Sequence, residues 1–328
     1  MKLIPTLALA LLVAAFAASA ADKSPVWTDP VKAAQEDPDF IVQGEYGLNR
    51  EGASVGVQVV ALGDGKFDAY VLEGGLPGLG WTKEKKRVRL SGAREGDLVK
   101  FAEAGGFSAE IRDDRLSLYS NGGSVVEFPK IERRSPTLGM RPPEGAVVLF
   151  DGSSADEWEK GKVADGLLAA TGCLSKKKFK DCTIHLEFRT PYKPKARGQQ
   201  RGNSGVYYGG RWETQVLDSF GLDGKMNECG GIYSIAAPKL NMCFPPLSWQ
   251  TYDVELTDAR FDEDGKRTAW PRITVKLNGV VVHDDVELNK DGTTACPVKG
   301  PLTDEGNPLF LQNHGNPVFY RNIWVVEK

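Results

Sequence analysis

Short runs in which apolar and polar residues alternate, broken by Gly, Asn and Asp, fill most of this chain. Successive side chains of a β-strand point to opposite faces, so each such run predicts a strand with one buried face. Between residues 40 and 128 the pattern predicts eight strands, at 40–42, 54–61, 67–72, 87–91, 98–102, 107–112, 115–119 and 125–128. Val55, Val57 and Val59 alternate with Gly56, Gln58 and Val60, and Asp113-Asp114 reads as a hairpin turn. Residues 40–128 therefore form a small all-β domain, either a module that frames the second domain or a purely structural unit. Trp81 within it reads as exposed. Residues 21–39, with Pro25, Pro30 and Pro38, read as a mobile or loosely docked lead-in with one short helix at 31–36. Residues 129–145, with Pro136, Pro142 and Pro143, have no periodicity and read as a linker.

The second domain, 146–328, continues in strands, at 147–150, 182–189, 205–208, 212–217, 250–258, 272–277, 280–282, 309–313 and 319–327. Asn278-Gly279 is the strongest hairpin signal in the chain. Many short strands without intervening helices predict two packed antiparallel sheets in a jelly roll. The centre of this domain is the hairpin 203–219, in which Gly209-Gly210 supplies the positive φ of a tight turn. Alternation places Arg211, Glu213, Gln215 and Leu217 on one face and Trp212, Thr214, Val216 and Asp218 on the other, with Glu213 and Gln215 roughly 7 Å apart. The run 309–313 likewise puts Gln312 and His314 on a common face. A solvated polar face is the competing reading of such a pattern.

Composition adds a location and removes some functions. Met1-Lys2, an apolar run over 3–16 and Ala18-Ser19-Ala20 have the layout of a secretory signal peptide, with cleavage expected after Ala20 and an exported, periplasmic or secreted protein as the consequence. No cysteine stands directly after the cleavage site, which disfavours a lipid anchor, and no stretch reaches the ~20 apolar residues of a spanning helix, so an integral membrane protein is not expected. A net charge of −3 with interspersed signs gives no footprint for nucleic acid. The five cysteines, Cys173, Cys182, Cys229, Cys243 and Cys296, leave at least one unpaired within the chain. Local bridges fit both Cys173–Cys182 and Cys229–Cys243, and the second is the favoured expectation.

The ordered set N-S-G-V-Y from Asn203, R-W-E-T-Q-V-L-D-S from Arg211, W-x-x-Y from Trp249, L-N-G-V from Leu277, L-Q-N-H-G from Leu311 on, and Tyr320-Arg321-Asn322-Ile323 resembles the 3-keto-disaccharide hydrolase domain family, over about residues 145–327. The resemblance implies a concanavalin A-like sandwich with a concave face and a glycoside substrate already oxidised to a ketone at C3, which a separate sugar 3-dehydrogenase would supply. The family's pattern often carries an acidic residue where Asn313 stands.

A C3 ketone makes the C2 hydrogen acidic, so cleavage needs a base near C2, a donor or cation at the keto oxygen and an acid for the leaving oxygen. Glu213 and His314 are the expected acid/base pair. Asn203, Arg211, Gln215, Gln312 and Arg321 are candidates to bind the sugar, and Tyr207 and Trp249 to stack on it. Turn formation at Asn203 and burial of the aromatics compete with those roles. Glu213 and His314, with Gln215 and Asp218, would suit a Ca, Mg or Mn ion, and no organic cofactor is expected. His185 and His283 read as structural. A non-catalytic carbohydrate-binding or surface-interaction module with the same sandwich is the alternative function.

Overall fold

The computed structural model describes residues 24–328. The expected signal peptide lies outside them. Eight antiparallel strands, from Gly44–Tyr46 to Val125–Ile131, close into a barrel whose last strand pairs with its first. Closure leaves the sheet no free edge. Asp113 and Asp114 both adopt positive φ, the geometry of a two-residue turn that matches strand twist. The barrel interior is filled by side chains such as Tyr46, Val57, Val59, Phe67, Leu90 and Leu116.

Four readings of the N-terminal half change. Residues 38–42 form a helix, Pro38–Val42, because Pro38 fits the first helical turn and the Asp37 carboxylate accepts the Asp39 amide as a cap. The lead-in is docked: Trp27 and Tyr192 pair backbone to backbone, and their rings pack at a tilt of 34° with centroids 5.3 Å apart. Trp81 is buried, in a cluster with Val60, Tyr70, Leu72, Leu76 and Phe220 that joins the barrel to the second domain. Phe220 joins that cluster from the second domain, a partner that no local pattern reveals. The final barrel strand also runs through Pro129 to Ile131, so the aperiodic connection begins at Glu132.

The second domain is a sandwich of two antiparallel sheets. Its five-stranded sheet contains, in order, Trp158–Glu159, Cys173–Phe179, Asn307–Leu311, Ser204–Tyr208 and Trp212–Val216. The larger sheet is centred on Phe319–Glu327, Cys182–Arg189 and Gln250–Thr257. Ile184, Leu186, Phe188, Tyr252 and Val254 from it meet Val206, Tyr208, Trp212, Val216 and Leu311 in one core. This is the expected all-β jelly-roll sandwich preceded by a β domain.

The outer face of the larger sheet carries an ionic network. His185 Nδ1 lies 2.6 Å from Asp253, Glu187 accepts from Arg321 Nε and the Gly139 amide at 2.6 Å each, and Thr137 donates to Asp253 at 2.6 Å. Burial would raise the Glu187 carboxyl, but His185, Asn322, Gly139 and Arg321 outweigh it and bring it down to about 2. The network thus fastens the interdomain connection to the sandwich. His283 is also structural: burial pushes it down to about 4 while its Nε2 meets the Gly230 carbonyl. All five cysteines are buried free thiols. Cys229 and Cys243 are hydrogen-bonding neighbours, so the expected pair is brought together without a covalent bond.

Candidate functional site

The hairpin 203–219 forms because Gly209 and Gly210 both take positive φ, linking Ser204–Tyr208 to Trp212–Val216. Val206, Tyr208, Trp212 and Val216 point into the sandwich core. Tyr207, Glu213 and Gln215 therefore occupy the opposite face, where Phe310 and Gln312 join them from the neighbouring strand and its end. Glu213 lies directly over Gly205, where a Cβ would stand 2.3 Å from the carboxylate oxygen Oε1. Only glycine permits that approach.

Glu213 is 3% exposed, because loops cover this face. The Tyr207 hydroxyl contacts its Oε2 at 2.8 Å and the Thr294 carbonyl at 2.9 Å, and accepts from Gln312 Nε2 at 2.9 Å. Burial raises the Glu213 carboxyl to about 7, a shift that the Tyr207 hydrogen bond opposes. A carboxyl poised there exchanges protons near neutral pH. Burial, and then the Glu213 charge, push the Tyr207 phenol upward, so it stays a neutral donor.

The segment 190–203 brings Gln199 and Asn203 to the same cluster, and the barrel holds that segment. Arg201, 6% exposed, donates to Asp218 at 2.7 Å and to the barrel's Ala61 carbonyl at 3.4 Å. Arg197 reaches the Leu62 carbonyl at 3.1 Å, and Lys195 pairs with Asp64 at 2.7 Å. One wall of the cluster is therefore set by the N-terminal domain.

The structure gathers Glu213, Tyr207, Gln215, Gln312 and Asn203, and sends the other candidates elsewhere. Arg211 precedes the strand, and its guanidinium binds the carbonyls of Asp291, Gly300 and Pro301, fastening the 288–302 segment. Arg321 stands over Trp249, 4.0 Å from the ring centroid, on the outer face of the opposite sheet. Both line a cavity of about 850 Å³ beside the barrel and the connection, apart from Glu213. Its Glu45 is bound by Arg133 at 2.6 Å. The strand expected at 309–313 ends at Leu311, and His314 stands exposed in the turn beyond, next to the cluster in sequence and outside the strand's alternation.

Asp218 is held by Arg201, and among the described residues no three His, Cys, Asp or Glu side chains are placed to hold a metal ion together. The cluster contains a single carboxylate, and no step of the reaction is assigned to a metal.

Sequence reading missed Gln199, Thr293, Thr294 and the Arg201–Asp218 pair. The signal for Gln199 and Arg201 was the polar stretch bracketed by Gly198 and Gly202 directly before the central hairpin. No comparable signal marked the threonines, which arrive from about 80 residues away: Thr293 Oγ1 accepts the Glu213 amide at 3.1 Å.

Comparison with known proteins covers the sandwich. The 3-keto-alpha-glucoside-1,2-lyase-like domain family matches residues 145–326. A candidate glycosyl hydrolase from Parabacteroides distasonis is 32% identical with a TM-score of 0.51, the match covering 57% of this chain and 85% of that one. A second from the same organism is 20% identical with a TM-score of 0.42, covering 56% and 94%, a likeness too weak to support an argument. No curated protein matches. The family match spans more than half the chain and includes every residue of the Glu213 cluster: the protein belongs to the 3-keto-alpha-glucoside-1,2-lyase-like domain family and is, in general terms, a carbohydrate-active protein of the glycoside-cleaving kind.

Proposed function

We propose that the protein cleaves glycosides carrying a ketone at C3, with Glu213 as the base. The observation that carries this reading is a buried carboxyl raised to about 7 in a cluster of hydroxyl and carboxamide groups. Glu213 takes the C2 proton and the C2–H electron pair forms the enolate. The enolate then collapses, restoring the C3 carbonyl, forming the C1–C2 double bond and breaking the bond from C1 to the leaving oxygen. His314 gives that oxygen its proton. Water then adds to C1 and a proton returns to C2, so the net change is hydrolysis.

Tyr207 fixes the carboxylate, while Asn203, Gln215 and Gln312 meet sugar hydroxyls. Arg211 acts indirectly, through the 288–302 segment that it fastens, and admission of a sugar ring requires that segment to move off Tyr207. Arg321 and Trp249 would contact a ligand only if it also filled the interdomain cavity. Export, and a separate sugar 3-dehydrogenase acting upstream, belong to the same proposal.

The test is incubation of purified protein with a 3-keto-glucoside and its unoxidised parent, with and without chelator, following aglycone release and enone absorbance. Release from the keto sugar alone supports the reading, and loss of release with chelator would bring a metal into it. Binding of both sugars with release from neither overturns it in favour of a binding module.

A further inference from the structure

The carboxamides around Glu213 are locked in one orientation by a chain of hydrogen bonds that starts at a backbone carbonyl. Gln199, half-buried on the turn Gly198–Gln200, donates its Nε2 to the Asn227 carbonyl at 2.9 Å. A carbonyl accepts only from N–H, so the Gln199 Oε1 must face the other way. That oxygen accepts from Asn203 Nδ2 at 3.0 Å and from Gln215 Nε2 at 3.2 Å. Asn203 Nδ2 also meets the Gln199 backbone carbonyl at 3.1 Å. Turning either amide over would set oxygen against oxygen. On the other side, the Tyr207 hydroxyl gives its proton to Glu213 or to the Thr294 carbonyl, and therefore receives one from Gln312 Nε2.

The consequence is that Asn203 Oδ1, Gln215 Oε1 and Gln312 Oε1 are all buried without a hydrogen-bond partner. Buried polar atoms are ordinarily satisfied, and three lone acceptors beside one carboxylate are an exception that a ligand would remove. Hydroxyl groups that donate are the matching chemistry.

We infer that Gln199 is a positioning residue that makes this cleft an acceptor-only reader of saccharide hydroxyls, selecting ligands by the hydroxyls that donate to Asn203, Gln215 and Gln312. The inference rests on the reading that the Glu213 cleft takes a glycoside, and deepens it. Groups that only accept, such as an ether or a C–F bond in place of a hydroxyl, are rejected. Because Gln199 is half-buried on a turn, substituting it leaves the sandwich core untouched.

Calorimetric binding of a glucoside and its mono-fluorinated analogues at C2, C4 and C6 to the full protein tests this, with kcat and KM measured on the 3-keto form and thermal melting as a folding control. Wild type binds at least one fluoro-analogue about tenfold more weakly than the parent, the weight of one hydrogen bond. Gln199→Met loses that discrimination and raises KM about tenfold with kcat within threefold. Gln199→Glu, which keeps an oxygen facing the two amides but loses the donor to the Asn227 carbonyl, recovers part of the discrimination. Equal binding of all analogues by wild type, or unchanged discrimination in Gln199→Met, overturns the inference while leaving the cleavage reading in place. Equal loss in Gln199→Met and Gln199→Glu also overturns it, as the mark of a merely structural residue. If wild type binds no saccharide at all, both fall.

Discussion

Removing one oxygen from Tyr207 should move the pH dependence of cleavage without abolishing cleavage. In the native cluster the phenol lies 2.8 Å from Glu213 Oε2 and opposes the burial that raises this carboxyl to about 7. A hydrogen bond to a charged group is worth about 1.5–3 kcal/mol, and 1.36 kcal/mol corresponds to one pH unit. Tyr207→Phe therefore shifts the acid limb of kcat/KM upward by about one to two pH units. The sign follows because the lost donor favoured the ionised form. At pH 7 the variant runs roughly tenfold slower than wild type, and by pH 9 it recovers to within a few-fold. The assay is aglycone release from a 3-keto-glucoside between pH 5 and pH 10, as kcat/KM. Superimposable limbs, a downward shift, or an equal loss at every pH would refute the reasoning, since each means that the Tyr207–Glu213 bond does not set the protonation of the base.

Glu213→Gln should abolish cleavage yet stabilise the fold in base. The folded-state value lies above the usual carboxylate value of 4.5, so wild-type stability falls as pH rises from there through about 7. In chemical denaturation the variant should match wild type at pH 4 and exceed it by about 3 kcal/mol at pH 8, and a gap that is constant with pH would count against it. Glu187→Gln should behave oppositely. Its carboxyl is depressed to about 2, so its contribution is full above about 4.5 and fades as pH falls toward 2. Urea titrations should show a loss of about 3 kcal/mol at pH 7 that shrinks below pH 4. Arg201→Met leaves Asp218 buried without its partner and should cost about 3–5 kcal/mol in the unfolding midpoint of the sandwich. Because the barrel wall of the cleft loosens as well, KM should rise in the protein that remains folded.

Alternation made the strands legible because each depends on neighbours two positions away in the chain. Asn278, Gly279, Gly209 and Gly210 take the positive φ that their turns require. The face that carries Glu213 and Gln215 follows from the same two-residue period, as does the core face of Val206, Tyr208, Trp212 and Val216. Where a reading failed, a distant partner had decided the outcome. Trp81 is buried in a cluster that includes Phe220, and the lead-in is held by Tyr192. Arg321 and Trp249 belong to the other sheet, although their motifs stand in the same ordered set as that of Glu213.

The sequence by itself determined most of the strands, the principal turns, the order of the motifs and the face of the central hairpin on which Glu213 stands, since these rest on chain chirality and on local alternation. Only the tertiary structure decided that Glu213 is buried and raised, that Tyr207 stands against it with Gln312 behind, and that Gln199 orients the amides of Asn203 and Gln215. Those properties arise from desolvation and from hydrogen bonds between residues far apart in the chain, 105 positions for Tyr207 and Gln312 and 140 for Arg201 and Ala61, and both require the packed loops and the barrel that holds one of them.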